Sequence, residues 1–321
     1  MKKYKANVIC VYNILKEYSD SKNIMPMGKI IEKLKTLYDL DLDRRTVYSA
    51  IDTLNAFGYE ISDYQDNGVG YYLVDRAFEL SEIRLLMDAV YSSPVITEND
   101  TQEIIDKLQK QLSINERKAY KSLKVVKGER KTANHQVFLN IEILDEAIVE
   151  GNKVSFVYMA YDFDKKLKPR REKRYERDPY GLVGSRGMYY LLCKSPKYNN
   201  METYRIDYMK DIVIEDKPVN TKCTSAELDN ASHRMVNSWI GEPERIVIDC
   251  DNRVLDYVIE TFGRESVITR LDQDRFRVTV RMAPKGVVIW AMQFADLVEV
   301  VEPVYIREEI VHRLKKNRYG I

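Results

Sequence analysis

Arg170-Arg171-Glu172-Lys173-Arg174 leads through Asp178-Pro179-Tyr180-Gly181-Leu182-Val183 and Met188-Tyr189-Tyr190-Leu191-Leu192-Cys193 to Thr203-Tyr204-Arg205-Ile206-Asp207-Tyr208-Met209. With breaks at Gly184–Gly187 and Ser195–Asn200, residues 170–214 read as strand, turn, strand, loop, strand. The strands are rich in tyrosine and short of charge until Arg205 and Asp207. A small antiparallel barrel places alternate tyrosines inside and outside, with the basic lead-in across one mouth. From Lys165 to Arg177 eight basic residues face only Glu172 and Glu176, a local excess of six. Most such runs are solvated loops, but this one enters the tyrosine strands directly.

The segment resembles the WYL domain, a small Sm-like or SH3-like β-barrel of bacterial transcription regulators. Pro179-Tyr180-Gly181-Leu182, Tyr189-Tyr190-Leu191 and Tyr204-Arg205-Ile206-Asp207 carry the resemblance. Tyr189 stands where the name-giving tryptophan would be, and Glu202 where members often have arginine. A helix over 137–149 and a strand over 153–160 extend the likeness from about Phe138 to Ile214. The resemblance implies an anionic ligand, a nucleotide or short nucleic acid, held by arginine forks and aromatic faces. The candidate residues are Tyr158, Lys173, Arg174, Tyr189, Tyr190 and Arg205. For any one tyrosine, plain packing is the commoner role. Alternation alone puts Arg205 and Asp207 on one strand face, where they pair with neighbours.

Outward from this stretch, 321 residues are too many for one core and fit two or three domains. The net charge of +1 says nothing about a polyanionic partner. Cys10, Cys193, Cys223 and Cys250 show no C-x-x-C spacing, and the three histidines are scattered, so neither disulfides nor a zinc site are expected. The apolar run after Met1-Lys2-Lys3-Tyr4-Lys5 is short and broken. A cytoplasmic protein without membrane span or cofactor is expected.

Toward the N-terminus, helices are predicted over 6–18 (Val8, Ile9, Val11, Tyr12, Leu15) and 27–38 (Ile30, Ile31, Leu34, Leu37). A third is capped by Asp43 and patterned by Val47, Ile51 and Leu54. Two strands around Asn67-Gly68, a hairpin turn signal, complete the order of a winged helix-turn-helix. Asp43-Arg44-Arg45-Thr46-Val47-Tyr48-Ser49-Ala50-Ile51 and Gly58-Tyr59-Glu60-Ile61 resemble that element of DeoR-like and WYL-linked regulators. Many relatives have Arg-Asp at Ser49-Ala50. Arg44, Arg45, Thr46, Tyr48 and Ser49 then face DNA, with Lys29 and Lys33 on the backbone. Residues 1–75 carry ten Lys/Arg against eleven Asp/Glu, so charge does not support this reading.

The remainder divides into a helical connector over 76–133, with Ser81 capping Glu82–Tyr91 and a helix from Thr97 to Leu112. The barrel follows at 134–216, a linker at 217–242, and a small α+β sandwich at 243–321 of order βαβαβα. The sandwich resembles the C-terminal extension that accompanies many WYL domains. No nucleophile, P-loop, dinucleotide or metalloprotease motif occurs. The expectation is a multidomain α+β regulator, not an enzyme. Its partners would be an operator duplex, a nucleotide or oligonucleotide effector and a second copy of itself. Rivals are an RNA- or single-strand-binding protein and a nucleotide-processing enzyme.

Overall fold

Helical periodicity in the N-terminal stretch becomes three helices, Asn7–Tyr18 (α1), Met27–Tyr38 (α2) and Arg44–Ala56 (α3). The computed structural model describes residues 6–120, 131–185, 187–197, 201–220, 222–233, 243–316 and 318. These residues fall into two units, Met1–Ala133 and Asn134–Ile321. In the first, Val11, Ile14, Leu15, Ile30, Leu34, Val47, Ile51 and Leu54 form one core. Ile9 and Leu37, expected inside, are 62% and 48% exposed. By helical spacing Ile9 falls on the face of α1 opposite Val11, Ile14 and Leu15, and Leu37 stands in the last turn of α2, beyond Ile30 and Leu34.

The expected hairpin is reduced to two residues a side, Ile61–Ser62 (β1) against Tyr72–Leu73 (β2). Between them Tyr64–Asn67 forms a helical turn (α4), capped by reciprocal hydrogen bonds of Asp63 and Asp66. Gly68, at φ 69°, ends this turn and does not sit in a two-residue hairpin loop. Local side-chain bonds to the backbone have won here. The Asn67 Oδ1 accepts from the N–H groups of Val69 and Gly70 at 2.8 and 2.9 Å. A backbone bridge pairs Tyr71 with Met25, ahead of α2. A Cβ on Gly70 would lie 2.2 Å from the Met25 carbonyl oxygen, so only glycine fits there.

Three further helices belong to this unit: Leu80–Ser92 (α5), Glu98–Gln109 (α6) and Ile114–Tyr120 (α7). The cap of α5 is Glu79 with Glu82, not Ser81, because Glu82 reaches back to the Glu79 N–H at 2.8 Å. These helices are tied to α1 by polar contacts. Arg76 donates to the carbonyls of Lys16, Ser19 and Gln111, and Ser113 donates to Asp20 at 2.6 Å. Within the expected helical connector, residues 121–130 lie outside the described residues.

The second unit opens with Val137–Glu150 (α8), ended by Gly151 at φ 70°. Leu139 is half exposed, while Asn140 is buried and donates to the carbonyls of Ile206 and Met209. A six-stranded antiparallel sheet follows: Asn152–Tyr161 (β3), Leu167–Pro169 (β4), Tyr175–Ser185 (β5), Met188–Lys194 (β6), Met201–Arg205 (β7) and Met209–Pro218 (β8). The order is β4-β3-β5-β6-β7, with β8 on the other edge of β3. Bulges at Pro179–Gly181 and along β3–β8 curl the sheet into a half-barrel, where a barrel was expected. A 3-10 turn, Ile206–Tyr208, separates β7 from β8. Arg205 and Asp207 therefore do not share a strand.

Ser225–His233 (α9) rests on β5, its Leu228 within 3.6 Å of where a Gly181 Cβ would stand. Beyond it come Glu244–Asp251 (β9), Leu255–Phe262 (α10), Val267–Arg270 (β10), Arg275–Met282 (β11), Pro284–Gln293 (α11), Val298–Glu302 (β12) and Val304–Lys315 (α12). The strand β10 was not anticipated: all four of its residues are exposed, so no alternation marks it. The order is thus βαββαβα, a split-βαβ sheet of order β10-β11-β9-β12 packed around Trp290.

Candidate functional site

In the N-terminal unit the features gather on α3. The Asp43 Oδ1 accepts from the Thr46 N–H at 2.8 Å and starts the helix. Hydrogen bonds from Thr46, backbone first, hold the Asp43 carboxyl below its ordinary pKa. Val47, Ala50, Ile51 and Leu54 are buried, while Arg44, Arg45, Tyr48 and Ser49 are exposed and Thr46 is half-buried. Cations in a first turn oppose the helix dipole. Helix stability therefore does not ask for Arg44 and Arg45. The Tyr48 ring meets Tyr71 edge-on at 6.2 Å. On α2, Lys29 is exposed, but Lys33 lies over the Tyr18 ring at 3.6 Å. That contact commits the Lys33 charge to α1.

In the second unit β3, β5 and β7 bring aromatic rings together. Phe156 stacks on Tyr175 at 5.6 Å, and Tyr158 meets Tyr175 and Tyr204 edge-on at 5.9 and 5.0 Å. Three guanidinium groups lie around the cluster. Arg171 covers the Tyr175 ring at 3.5 Å. Arg177 sits 5.4 Å from Tyr175 and 5.2 Å from Tyr204. Arg205 covers Tyr208 at 4.3 Å. Such contacts draw a cation to a ring face.

Each of the last two has a carboxylate. The Arg177 Nε donates to Glu202 at 2.7 Å, and its Nη2 to the Tyr204 hydroxyl at 2.6 Å. The Tyr204 hydroxyl in turn donates to Glu202 at 2.7 Å. Glu202 thus answers Arg177. Burial opposes the Arg177 charge, but Tyr204 and Glu202 more than offset it and its pKa rises. Burial and the Glu202 bond also raise the Tyr204 phenol.

Asp207, almost fully buried, receives the Nε and Nη2 of Arg205 at 3.1 and 2.7 Å. The pair takes two of the five N–H bonds of the guanidinium and fixes its direction. The Tyr158 hydroxyl accepts from the Arg205 backbone N–H at 3.2 Å, and burial pushes its pKa up to about 12.

Of the ligand residues read from the sequence, Tyr158, Tyr190 and Arg205 come together; Tyr190 stands opposite Arg205 in the β6–β7 ladder. Tyr189, on the opposite face of β6 from Tyr190, packs like Tyr158 against the half-barrel core and lies beside Gly184. Arg174 is spent on structure. Its guanidinium donates to the Ser155 hydroxyl, the Ser155 carbonyl at 2.9 Å and the Asp211 carbonyl. Lys173 is exposed, and its carbonyl accepts from Arg171. Arg171, Arg177, Tyr175 and Tyr208 were not singled out. Their signal, a basic residue two to four positions from a tyrosine, is present in the sequence but is shared by neighbours that do nothing similar.

Among the described residues no group of three His, Cys, Asp or Glu side chains is placed to hold a metal ion. No described helix is long and apolar enough to cross a membrane.

No curated protein matches the chain. Among the solved structures similar to it are the following two. Proteasome accessory factor B/C (PafBC) of Arthrobacter aurescens is 17% identical at a TM-score of 0.28, over 97% of this chain and 46% of that one. A CRISPR Cas-related protein is 13% identical at a TM-score of 0.40, over 98% of this chain and 90% of that one. The chain thus spans about half the length of the first, and both superpose too loosely to bear on fold or function. Family models match at two places, the WYL domain over residues 140–214 and the WCX domain over residues 242–316. The half-barrel with its arginine-capped tyrosines is accordingly a WYL domain, and the split-βαβ sheet that follows it is a WCX domain.

Proposed function

We propose that the protein is a cytoplasmic DNA-binding transcriptional regulator. In this reading α1–α3 and the β1–β2 ladder form a winged helix-turn-helix of the DeoR-like kind, and α3 enters the major groove. The WYL domain takes an anionic effector, a nucleotide or short nucleic acid, at Arg205 and the rings around it. The chain acts as a homodimer on a two-part site, since one such head reads few base pairs. The effector works through a difference in affinity between two arrangements of the protein, and no chemical step is catalysed.

The observation that carries the DNA reading is the outward face of α3. Two arginines stand in its first turn against the helix dipole, on a helix whose opposite face is wholly buried. An arginine bonded to guanine through two hydrogen bonds is worth about 1–3 kcal/mol of discrimination. The test begins with duplexes selected from a random pool by the wild-type protein. Arg44→Ala and Arg45→Ala are then compared by fluorescence anisotropy on the selected duplex. Each is expected to weaken binding by about tenfold or more with an unchanged melting temperature. Wild-type affinity in both variants refutes the reading.

A further inference from the structure

An open cleft of about 630 Å³ lies between α10 and α11 of the WCX domain. Tyr257, Glu260 and Thr261 line it from α10, and Trp290, Gln293 and Phe294 from α11. Each triplet has the spacing i, i+3, i+4, which sets its three side chains on one helix face. Three of the six are aromatic. Phe294 stands between the other two rings, 5.1 Å from Tyr257 at 39° and 5.3 Å from Trp290 at 51°. Rings tilted in this way do not stack, so their faces are not used up on one another. Phe262 meets Trp290 edge-on at 4.7 Å from the core side, and Trp290 is 2% exposed, so this wall is fixed by packing. Tyr257, by contrast, is 51% exposed.

The charge of the cleft has one sign. Glu260 is the charged member of the lining. Its side chain is exposed, with no hydrogen bond or ion pair among the described residues. It stands in the last turn of α10, where a carboxylate opposes the helix dipole. Asp256, four residues earlier and also exposed, adds a like charge on the same side of the helix. The α10 sequence holds no cation, and that of α11 holds only Lys285, in its first turn. Helix stability therefore does not ask for Glu260.

We propose that this cleft is a ligand site of the WCX domain for a small organic cation, an alkylated ammonium ion seated on the faces of Tyr257, Trp290 and Phe294 with Glu260 at its edge. Aromatic faces are negative and attract a cation, most strongly where water is displaced. An anion meets both those faces and Glu260 and is refused. A neutral apolar molecule gains the rings but leaves the carboxylate unanswered. A hard metal ion needs several oxygen ligands, and one carboxylate among rings does not supply them. The volume is within the range of small-molecule sites, about 300–1,000 Å³. The inference depends neither on α3 as a DNA reader nor on Arg205 as an anion site.

The experiment titrates the full chain by calorimetry with choline and with its neutral isostere, in which a carbon atom replaces the ammonium nitrogen. Choline is expected to bind about tenfold more tightly than the isostere, or better. Glu260→Gln should weaken choline by about three- to fivefold and leave the isostere unchanged. Tyr257→Leu should weaken choline by about fivefold, and Tyr257→Phe, which keeps the face, should retain it. Unchanged hydrogen exchange in 255–262 and 284–293 shows that a variant is folded. The two ligands are compared on the wild-type chain, so the proposal can be refuted even where Tyr257→Leu disturbs α10. Equal affinity for choline and the isostere overturns it, as does the absence of binding to both choline and tetramethylammonium. Wild-type choline affinity in both Glu260→Gln and Tyr257→Leu also overturns it, because the cation then sits elsewhere. A lowered sedimentation coefficient in Tyr257→Leu with unchanged choline binding assigns the cleft to a second copy, again against the proposal. None of these outcomes bears on the α3 test.

Discussion

Removing one charge from the floor of the WYL domain should open its sheet. Lys153 on β3 and Asp178 on β5 are 3% and 0% exposed and pair at 2.8 Å. The second Asp178 oxygen accepts from the Asn220 N–H at 2.9 Å, so both carboxylate oxygens are bonded. Replacing a well-paired buried ion pair by neutral groups is often nearly free, whereas removing one partner costs about 3–5 kcal/mol. Lys153→Met leaves the Asp178 carboxylate in the interior without this cation. Lys153→Met with Asp178→Asn removes both charges and keeps an oxygen for Asn220. Because the chain has several domains, a single melting transition is not a clean readout. Hydrogen exchange followed by mass spectrometry reads β3 and β5 by themselves. The single variant should speed exchange in peptides covering 152–161 and 175–185 by about 150- to 5000-fold. The double variant should return it to within about tenfold of wild type. Exchange in the single variant within about fivefold of wild type refutes the reasoning, because it shows a pair that the sheet does not depend on.

Asp43→Ala removes the α3 cap and should weaken duplex binding by about fivefold, while Asp43→Asn keeps an accepting oxygen and most of the affinity; anisotropy on a selected duplex separates the two. The Tyr158 phenol has its pKa pushed from 10.0 to about 12 by burial. The unfolded chain therefore releases this proton first as pH rises, so the stabilisation is whole below pH 10 and is lost progressively toward pH 12. Tyr158→Phe should flatten the fall in urea midpoint over that range, and an equally steep fall counts against a buried neutral phenol. Gly70→Ala should destabilise the N-terminal unit by about 1–3 kcal/mol, as overpacking does, read from hydrogen exchange in α2 and α3.

Elements with one buried face were legible in the sequence. Val47, Ile51 and Leu54 mark α3, and Asp43 marks its start, because burial and capping are local patterns. The strand β10 was not legible, since an edge with every residue in solvent leaves no alternation to read. Asn67-Gly68 was rightly seen as a turn but misassigned, because Asp63 and Asp66 cap each other and wind the chain into a helical turn first. At the candidate site Arg205 and Asp207 were expected on one strand face, each pairing with neighbours; a 3-10 turn instead brings them onto each other. Arg171, Arg174 and Lys173 are chemically alike and adjacent. Only the curl of the sheet decides that the first covers Tyr175, the second braces Ser155 and the third stays in solvent. Lys33 looked like a backbone contact because nothing local shows that Tyr18, on another helix, will lie beneath it.

The backbone bridge from Tyr71 to Met25 has a mechanical consequence. It fastens the loop before β2 to the residue ahead of Pro26, where α2 begins. The absent side chain at Gly70 lets the two segments of chain approach closely enough for that bridge to form. The β1–β2 ladder and the root of α2 are thus joined by two backbone hydrogen bonds, of 2.9 and 2.8 Å, so the two share one anchor.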